Sequence, residues 1–131
     1  MNIKTINHNK DIVRVILNEP KTYNALSYKN LKDLINVFKK LDKDKKVKVI
    51  ILEGAGKGFS AGHNLREVKD LRKKDRYKKL FDLCSKLMLQ IVEGRKPVIA
   101  KVHGAAYAAG CQLVASCDLA YGAKDTLFAT P

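Results

Sequence analysis

The chain has 131 residues, 46% of them hydrophobic, and carries 26 lysines and arginines against 13 acidic residues, for a formal net charge of +13. This is the composition of one folded globular domain, which excludes a disordered chain, and no apolar run approaches the roughly 18 residues of a membrane span. The positive excess predicts attraction to anions without saying whether they are nucleic acid, acidic lipid or phosphorylated small molecules.

The N-terminal MNIKTINHNKD has neither the apolar core of a secretory signal nor the arginine-rich, acid-poor character of a transit peptide, so a cytoplasmic protein is expected. Ile3–Ile6 and the β-branched run Ile12–Leu17 flank the polar turn His8-Asn9-Lys10-Asp11 and predict a hairpin. Ser27 can cap a helix whose Leu31, Leu34, Ile35, Phe38 and Leu41 keep helical spacing. The lysines from Lys39 to Lys48, interleaved with Asp42 and Asp44, suit a solvated helix C-terminus.

Val47–Leu52 predicts a second strand, closed by EGAGKGFSAG. A long helix follows, with Leu80, Phe81, Cys84, Leu87, Met88 and Ile91 on one face and Gly94 and Pro97 at its end. The basic run LRKKDRYKK is placed at the start of this helix, where it reads either as a solvated face or as an anion site that relieves opposition to the helix dipole. Val98–Val102 predicts a third strand, Ala109–Cys117 a short helix, and Leu119–Tyr121 and Leu127–Ala129 short strands. Alternating strands and helices of this kind predict an α/β chain with right-handed crossovers. Cys84, Cys111 and Cys117 show neither a paired framework nor zinc-ligand spacing; they read as small apolar fillers, and no metal site is expected.

Three stretches could carry chemistry. Gly54-Ala55-Gly56-Lys57-Gly58 follows a strand but lacks both nucleotide-binding spacings, so a turn needing positive φ better explains its glycines. In Phe59-Ser60-Ala61-Gly62-His63-Asn64-Leu65, glycine-flanked amides lie near a turn, and His63 is an imidazole with no acidic partner identified. Val102–Asp118 gives up every lysine, arginine and glutamate for small residues around Gly104 and Gly110. Helix-start amides lined by Ala105, Ala106, Ala108 and Ala109 would suit a carbonyl oxygen gaining negative charge. A tightly packed buried helix also favours Ala and Gly, and composition does not choose between the two.

EPKTYNAL (Glu19 to Leu26), GKGFSAGHNL (Gly56 to Leu65) and KPVIAKVHGAAYAAGCQLVASCDLA (Lys96 to Ala120), in that order and spacing, resemble the three successive signatures of the crotonase, or enoyl-CoA hydratase/isomerase, superfamily. The resemblance covers nearly the whole chain. It implies an α/β fold, a truncated crotonase-like spiral of β-β-α units, with residues 1–131 forming a partial crotonase-like (ClpP/crotonase) domain without its C-terminal helical part. It further implies a coenzyme A thioester held by its carbonyl oxygen between the backbone amides of His63 and Ala109, an oxyanion hole for a thioester enolate in fatty acyl-CoA metabolism. Coenzyme A would enter as part of the substrate, and no separate cofactor is implied. Lys21, Ala25, Ser60, Ala61, Asn64, Leu65, Arg66 and Gly110 fall at substrate-binding positions, with Lys21 and Arg66 suited to the coenzyme phosphates. A full fold of this kind would allow a homo-trimer or hexamer.

The chain departs from the pattern in three places. Gln112 stands where many hydratases carry a glutamate, Asn64 replaces an aspartate, and Ala108-Ala109 replace two glycines. An amide cannot exchange a proton, so ordinary hydration should be slow. A second family glutamate follows the F-x-x-P string, and this sequence stops at Pro131. A truncated or split gene product is therefore expected, with apolar faces and a sheet edge left open. Two rival functions are a non-catalytic acyl-CoA binder and a basic nucleic-acid binder using the Arg66–Lys79 face. The latter predicts steep salt dependence but has no aromatic platform or recognised module. An inactive gene fragment is a further alternative.

Overall fold

The computed structural model describes residues 2–70 and 74–130. β1 (Ile3–Asn7) pairs antiparallel with β2 (Ile12–Leu17), as the hairpin expectation requires. A short 3-10 turn at Pro20–Thr22 leads into α1 (Tyr28–Lys43), whose first turn is capped by the Ser27 hydroxyl accepting from the Asn30 amide at 3.1 Å. Lys40 and Lys43 occupy the last turn of α1, where the helix dipole favours cations.

β3 (Val49–Gly54) runs parallel to β2. α2 (Leu65–Asp70) and α3 (Lys74–Glu93) follow, then β4 (Val98–Val102), β5 (Ala105–Tyr107), α4 (Ala109–Ser116), β6 (Leu119–Gly122) and β7 (Leu127–Ala129). The main sheet has the order β1-β2-β3-β4-β6, and β5 pairs in parallel with β7 in a second, smaller sheet. Ser60 makes an isolated parallel bridge to Ala106 of β5. Each turn of chain thus lays one strand on the main sheet (β3, β4, β6), then one short extended piece on the small sheet (Ser60, β5, β7). The chain is α/β, a spiral of β-β-α units, as the resemblance implies.

One face of the main sheet carries Val13, Val15, Ile50, Leu52, Val98 and Ala100, all buried and in register across β2, β3 and β4. Leu31, Leu34, Ile35, Phe38 and Leu41 of α1 and Leu80, Cys84, Leu87, Met88 and Ile91 of α3 join them in one apolar cluster. Phe81, expected on the buried face of α3, is instead half exposed, because its ring turns to meet His63. Burial pushes the Cys84 thiol pKa up, and burial with Asp118 alongside pushes that of Cys117 up to about 12, as befits packing groups rather than nucleophiles.

On the opposite face, the Arg14 guanidinium donates to both oxygens of Glu53, at 2.6 and 3.0 Å. That bond lowers the Glu53 pKa against its desolvation by burial. At the sheet edge, every residue of β6 is exposed, and Leu119, Tyr121, Leu127 and Phe128 leave about half to two-thirds of their surfaces open.

Lys74–Lys79 of the basic run opens α3, at a helix start as the sequence places it, while Leu71, Arg72 and Lys73 lie outside the described residues. One sequence expectation needs correction. Of the glycines at 54, 56 and 58, only Gly56 has positive φ, at +86°; the other two are called for by close backbone approach, to Phe59 and Ala105 respectively. Among the described residues, no helix is long and apolar enough to cross a membrane.

Candidate active site

The site is assembled where the spiral brings the Tyr23–Leu26, Ser60–Asn64 and Tyr107–Gly110 segments together. Tyr23 and Asn24 both take left-handed backbone conformations, each at φ 54°, which asparagine tolerates better than most residues. Asn24 is buried. Its side-chain oxygen accepts from the Glu19 amide at 2.9 Å, and its nitrogen lies 2.8 to 3.1 Å from the carbonyls of Ala55, Gly58 and Phe59. The Ser60 hydroxyl donates to the Asn24 carbonyl at 2.8 Å and accepts from the Gly62 amide at 3.2 Å. Ala61 donates to the Tyr23 carbonyl and Leu26 to the Gly62 carbonyl, closing the two segments on each other.

These bonds fix the direction of the His63 amide. The peptide unit is planar and trans, so its C=O and N–H point in opposite directions. The Leu26 amide donates to Gly62 O at 2.7 Å, which aims the His63 N–H away from Leu26. The same reasoning applies to the other segment. Ala108 O accepts from the Gln112 amide at 3.0 Å along α4, so the Ala109 N–H points back out of the helix start. Among the described residues, neither amide has an intramolecular acceptor.

Gly62 and Gly110 make the approach of the two segments feasible. A methyl group built on Gly62 (φ +93°) would lie 3.2 Å from the Ala109 nitrogen and 3.0 Å from the Tyr107 carbonyl oxygen, leaving no room for a side chain. A methyl group on Gly110 would collide with the Ser60 carbonyl oxygen. Ala108, which precedes the helix, takes φ 51° and ψ −120°, a region that glycine occupies freely and alanine does not.

The expected substrate-binding residues divide into two groups. Lys21, Ala25, Ala61, Asn64, Leu65 and Arg66 line one cavity of about 390 Å³, together with Thr22, Tyr23 and the expected oxyanion donor His63. Ser60 and Gly110 are buried and do not line it, and Ser60 supports the loop through its hydroxyl, which bonds the Asn24 carbonyl and the Gly62 amide. The Asn64 side-chain oxygen caps α2, accepting from the Arg66 and Glu67 amides. His63 is half buried, its Nδ1 is 3.3 Å from the Leu26 carbonyl oxygen, and its ring meets Phe81 edge-on with centroids 5.3 Å apart. Gln112 sits exposed on the first turn of α4.

Asn24 is absent from the sequence expectations, and its only local signal is its turn-forming residue type in PKTYN. The helix α2 does have a signal, since Asn64 followed three residues later by Glu67 is the spacing of a capping box. Glu67 itself accepts from the Tyr28 amide at 2.8 Å, joining the starts of α2 and α1.

A family model described as "Enoyl-CoA hydratase/isomerase" matches residues 7–131. The human mitochondrial enoyl-CoA hydratase domain-containing protein 3 is 43% identical over 92% of this chain and 40% of its own length. This is the branch that the strings AAGCQLVASCD and FATP resemble. A short-chain-enoyl-CoA hydratase of Clostridium acetobutylicum is 35% identical over 89% of this chain and 45% of its own length. Among solved structures, an enoyl-CoA hydratase from Mycobacterium smegmatis superposes with a TM-score of 0.95 at 41% identity, over 98% of this chain and 50% of that one. The crystal structure of human enoyl-CoA hydratase domain-containing protein 3 gives 0.94 at 39% identity, over all of this chain and 51% of that one. The chain spans about half the length of the relatives it matches, or slightly less.

Proposed function

The chain belongs to the enoyl-CoA hydratase/isomerase family, and on that premise we propose that it binds an acyl-CoA thioester with the carbonyl oxygen received by the His63 and Ala109 amides. One observation carries this reading: Gly62, the residue before His63, is packed against the Ala109 nitrogen, and both amides are left without an acceptor among the described residues. Two N–H groups fixed in advance around one point stabilise an oxygen that gains charge, as in a thioester enolate. Loss of one such donor typically costs roughly 2.7–4 kcal/mol in the transition state. The cavity that His63 lines is bordered by Lys21 and Arg66, which suit the phosphates of the coenzyme.

A second reading, a binder without turnover, is favoured by Gln112. At that position a carboxyl could exchange protons, whereas an amide can only hold or orient a group. Isothermal titration with a short-chain enoyl-CoA and with free coenzyme A tests the shared premise of both readings. Free coenzyme A has the same phosphates and pantetheine but no thioester carbonyl, so tighter binding of the thioester is expected. Equal affinities would overturn the assignment of the two amides. The time course of the conjugated thioester's absorbance then separates an enzyme from a binder.

A further inference from the structure

We propose that the open edges of β6 and β7 form one docking surface for a separate polypeptide, a strand-strand-helix segment that adds a parallel strand to each sheet. This goes beyond the acyl-CoA reading and does not depend on it.

Both sheets stay open at the same end of the spiral. Among the described residues, β6 is the last strand of the main sheet and β7 the last of the small one, with only Ala123-Lys124-Asp125-Thr126 between them. Thr126 fixes that corner, its amide donating to the Ala123 carbonyl at 3.0 Å and its hydroxyl to the Val102 carbonyl at 3.2 Å. The Ala123 amide donates to Val102 O at 2.8 Å. By the alternation of a strand, Tyr121 also turns its N–H and C=O to β4, and those of Ala120 and Gly122 point outward. In β7, Leu127 donates to Gly104 O and Ala129 accepts from the Ala108 amide, so the N–H and C=O of Phe128 point outward.

These edges carry no guard. β1, at the far side of the main sheet, exposes Lys4, Thr5 and Asn7, polar side chains of the kind that discourage pairing. β6 and β7 read LAYG and LFA, without a charge or a proline, and Leu119, Tyr121, Leu127 and Phe128 are each more than half exposed. Uncharged edges bearing large apolar side chains are pairing sites. Ala120 and Gly122 stand in register with Ala100 and Val102, on the sheet face that α1 and α3 cover over the earlier strands, yet both are exposed. Their small size leaves room for a helix there, so the occupant brings a helix as well as two strands.

The fold indicates what that occupant is. Each turn of the spiral adds one parallel strand to the main sheet and one short piece to the small sheet, so the two edges together match one further turn rather than an isolated strand. The M. smegmatis hydratase superposes on 98% of this chain with 50% of its own length, which leaves it a further half without a counterpart here. A second copy of this chain fits less well, since it would bring a net charge of +13 against +13.

The test is co-expression of the full 131-residue chain with that unmatched half of the M. smegmatis hydratase as a separate, tagged polypeptide, and in parallel with the unmatched half of human enoyl-CoA hydratase domain-containing protein 3. A one-to-one complex by light scattering is expected with at least one of them. In it, the amides of Ala120, Gly122 and Phe128 should exchange with heavy water at least ~10²-fold more slowly than in the chain alone. Ala120→Pro removes an outward N–H and leaves the bonds to β4 in place, so it should fold and weaken the complex at least ~10-fold. Phe128→Lys should do the same by charging the edge, whereas Thr5→Lys on β1 should not. A complex that forms without protection at β6 and β7, or at undiminished affinity in Ala120→Pro and Phe128→Lys, would overturn the proposal. So would the absence of a complex with either half, and so would a chain that pairs with its own copies through β6, which would give the edge to a second copy.

Discussion

Asn24 and Ser60 hold each other: the Ser60 hydroxyl donates to the Asn24 carbonyl at 2.8 Å, and both residues are almost wholly buried. Through this contact the turn after β2 and the loop after β3 behave as one rigid piece, and that piece carries the His63 amide. Asn24→Ala removes the side-chain bonds to Glu19, Ala55, Gly58 and Phe59 and leaves an alanine at φ 54°. Orphaned buried polar groups and a strained backbone predict a loss of about 2–4 kcal/mol. Urea unfolding should show a lower midpoint at unchanged slope. Where the variant still folds, its preference for a thioester over free coenzyme A should shrink, because the His63 N–H is no longer aimed.

How far the sequence reveals this site depends on how local each determinant is. The apolar faces of α1 and α3, the Ser27 cap and the strands of the main sheet are legible because hydrophobic period and capping act within a few residues. The Asn24 clamp is not, since its acceptors at Ala55, Gly58 and Phe59 lie 31 to 35 positions away. β5 escapes a reading of the sequence, because three residues, Ala-Ala-Tyr, carry no alternation and become a strand only when β7 and Ser60 pair with them. Phe81 fits the helical period yet faces outward, since the ring of His63 competes for it. The substrate-binding residues come from motif resemblance rather than from any physical pattern, and the cavity then gathers six of the eight, together with His63.

The strained residue beside the site gives an opposite kind of prediction. Ala108 at φ 51°, ψ −120° carries a backbone cost of order 1–3 kcal/mol, against which a glycine there would add roughly 0.4–1 kcal/mol of unfolded-state entropy. Ala108→Gly should therefore stabilise the chain by about 1 kcal/mol, raising Tm by about 3–6 °C in a thermal melt. Ala108→Val, β-branched at positive φ, should destabilise it. A melting temperature that falls in the glycine variant would show that the alanine is at ease where it stands.

The Arg14–Glu53 pair sets a pH dependence of stability. Arg14 holds the folded-state pKa of Glu53 below its ordinary 4.5, chiefly through the hydrogen bond. A carboxyl lowered in this way contributes its full stabilisation above the pKa of the unfolded side chain and loses it as pH falls through the lower folded value. Stability measured by urea unfolding should accordingly drop below about pH 4.5. Glu53→Gln should be less stable at neutral pH, with Arg14 left without its carboxylate, and should show a shallower acid limb. An acid limb as steep as the parent's would assign the effect to other carboxyls.

Gln112 tests whether the site lacks chemistry or only a proton. It lies on the first turn of α4, where the helix dipole favours a negative charge, so Gln112→Glu should fold with unchanged or slightly higher stability. If the two amides already polarise the thioester, restoring a carboxyl that can activate water should raise the hydration rate of a short-chain enoyl-CoA at least ~10²-fold, with little change in its affinity. The loss of the conjugated thioester's absorbance reports that rate directly. A variant that binds the thioester but hydrates nothing would mean that the two amides and the new carboxyl do not face the same carbonyl.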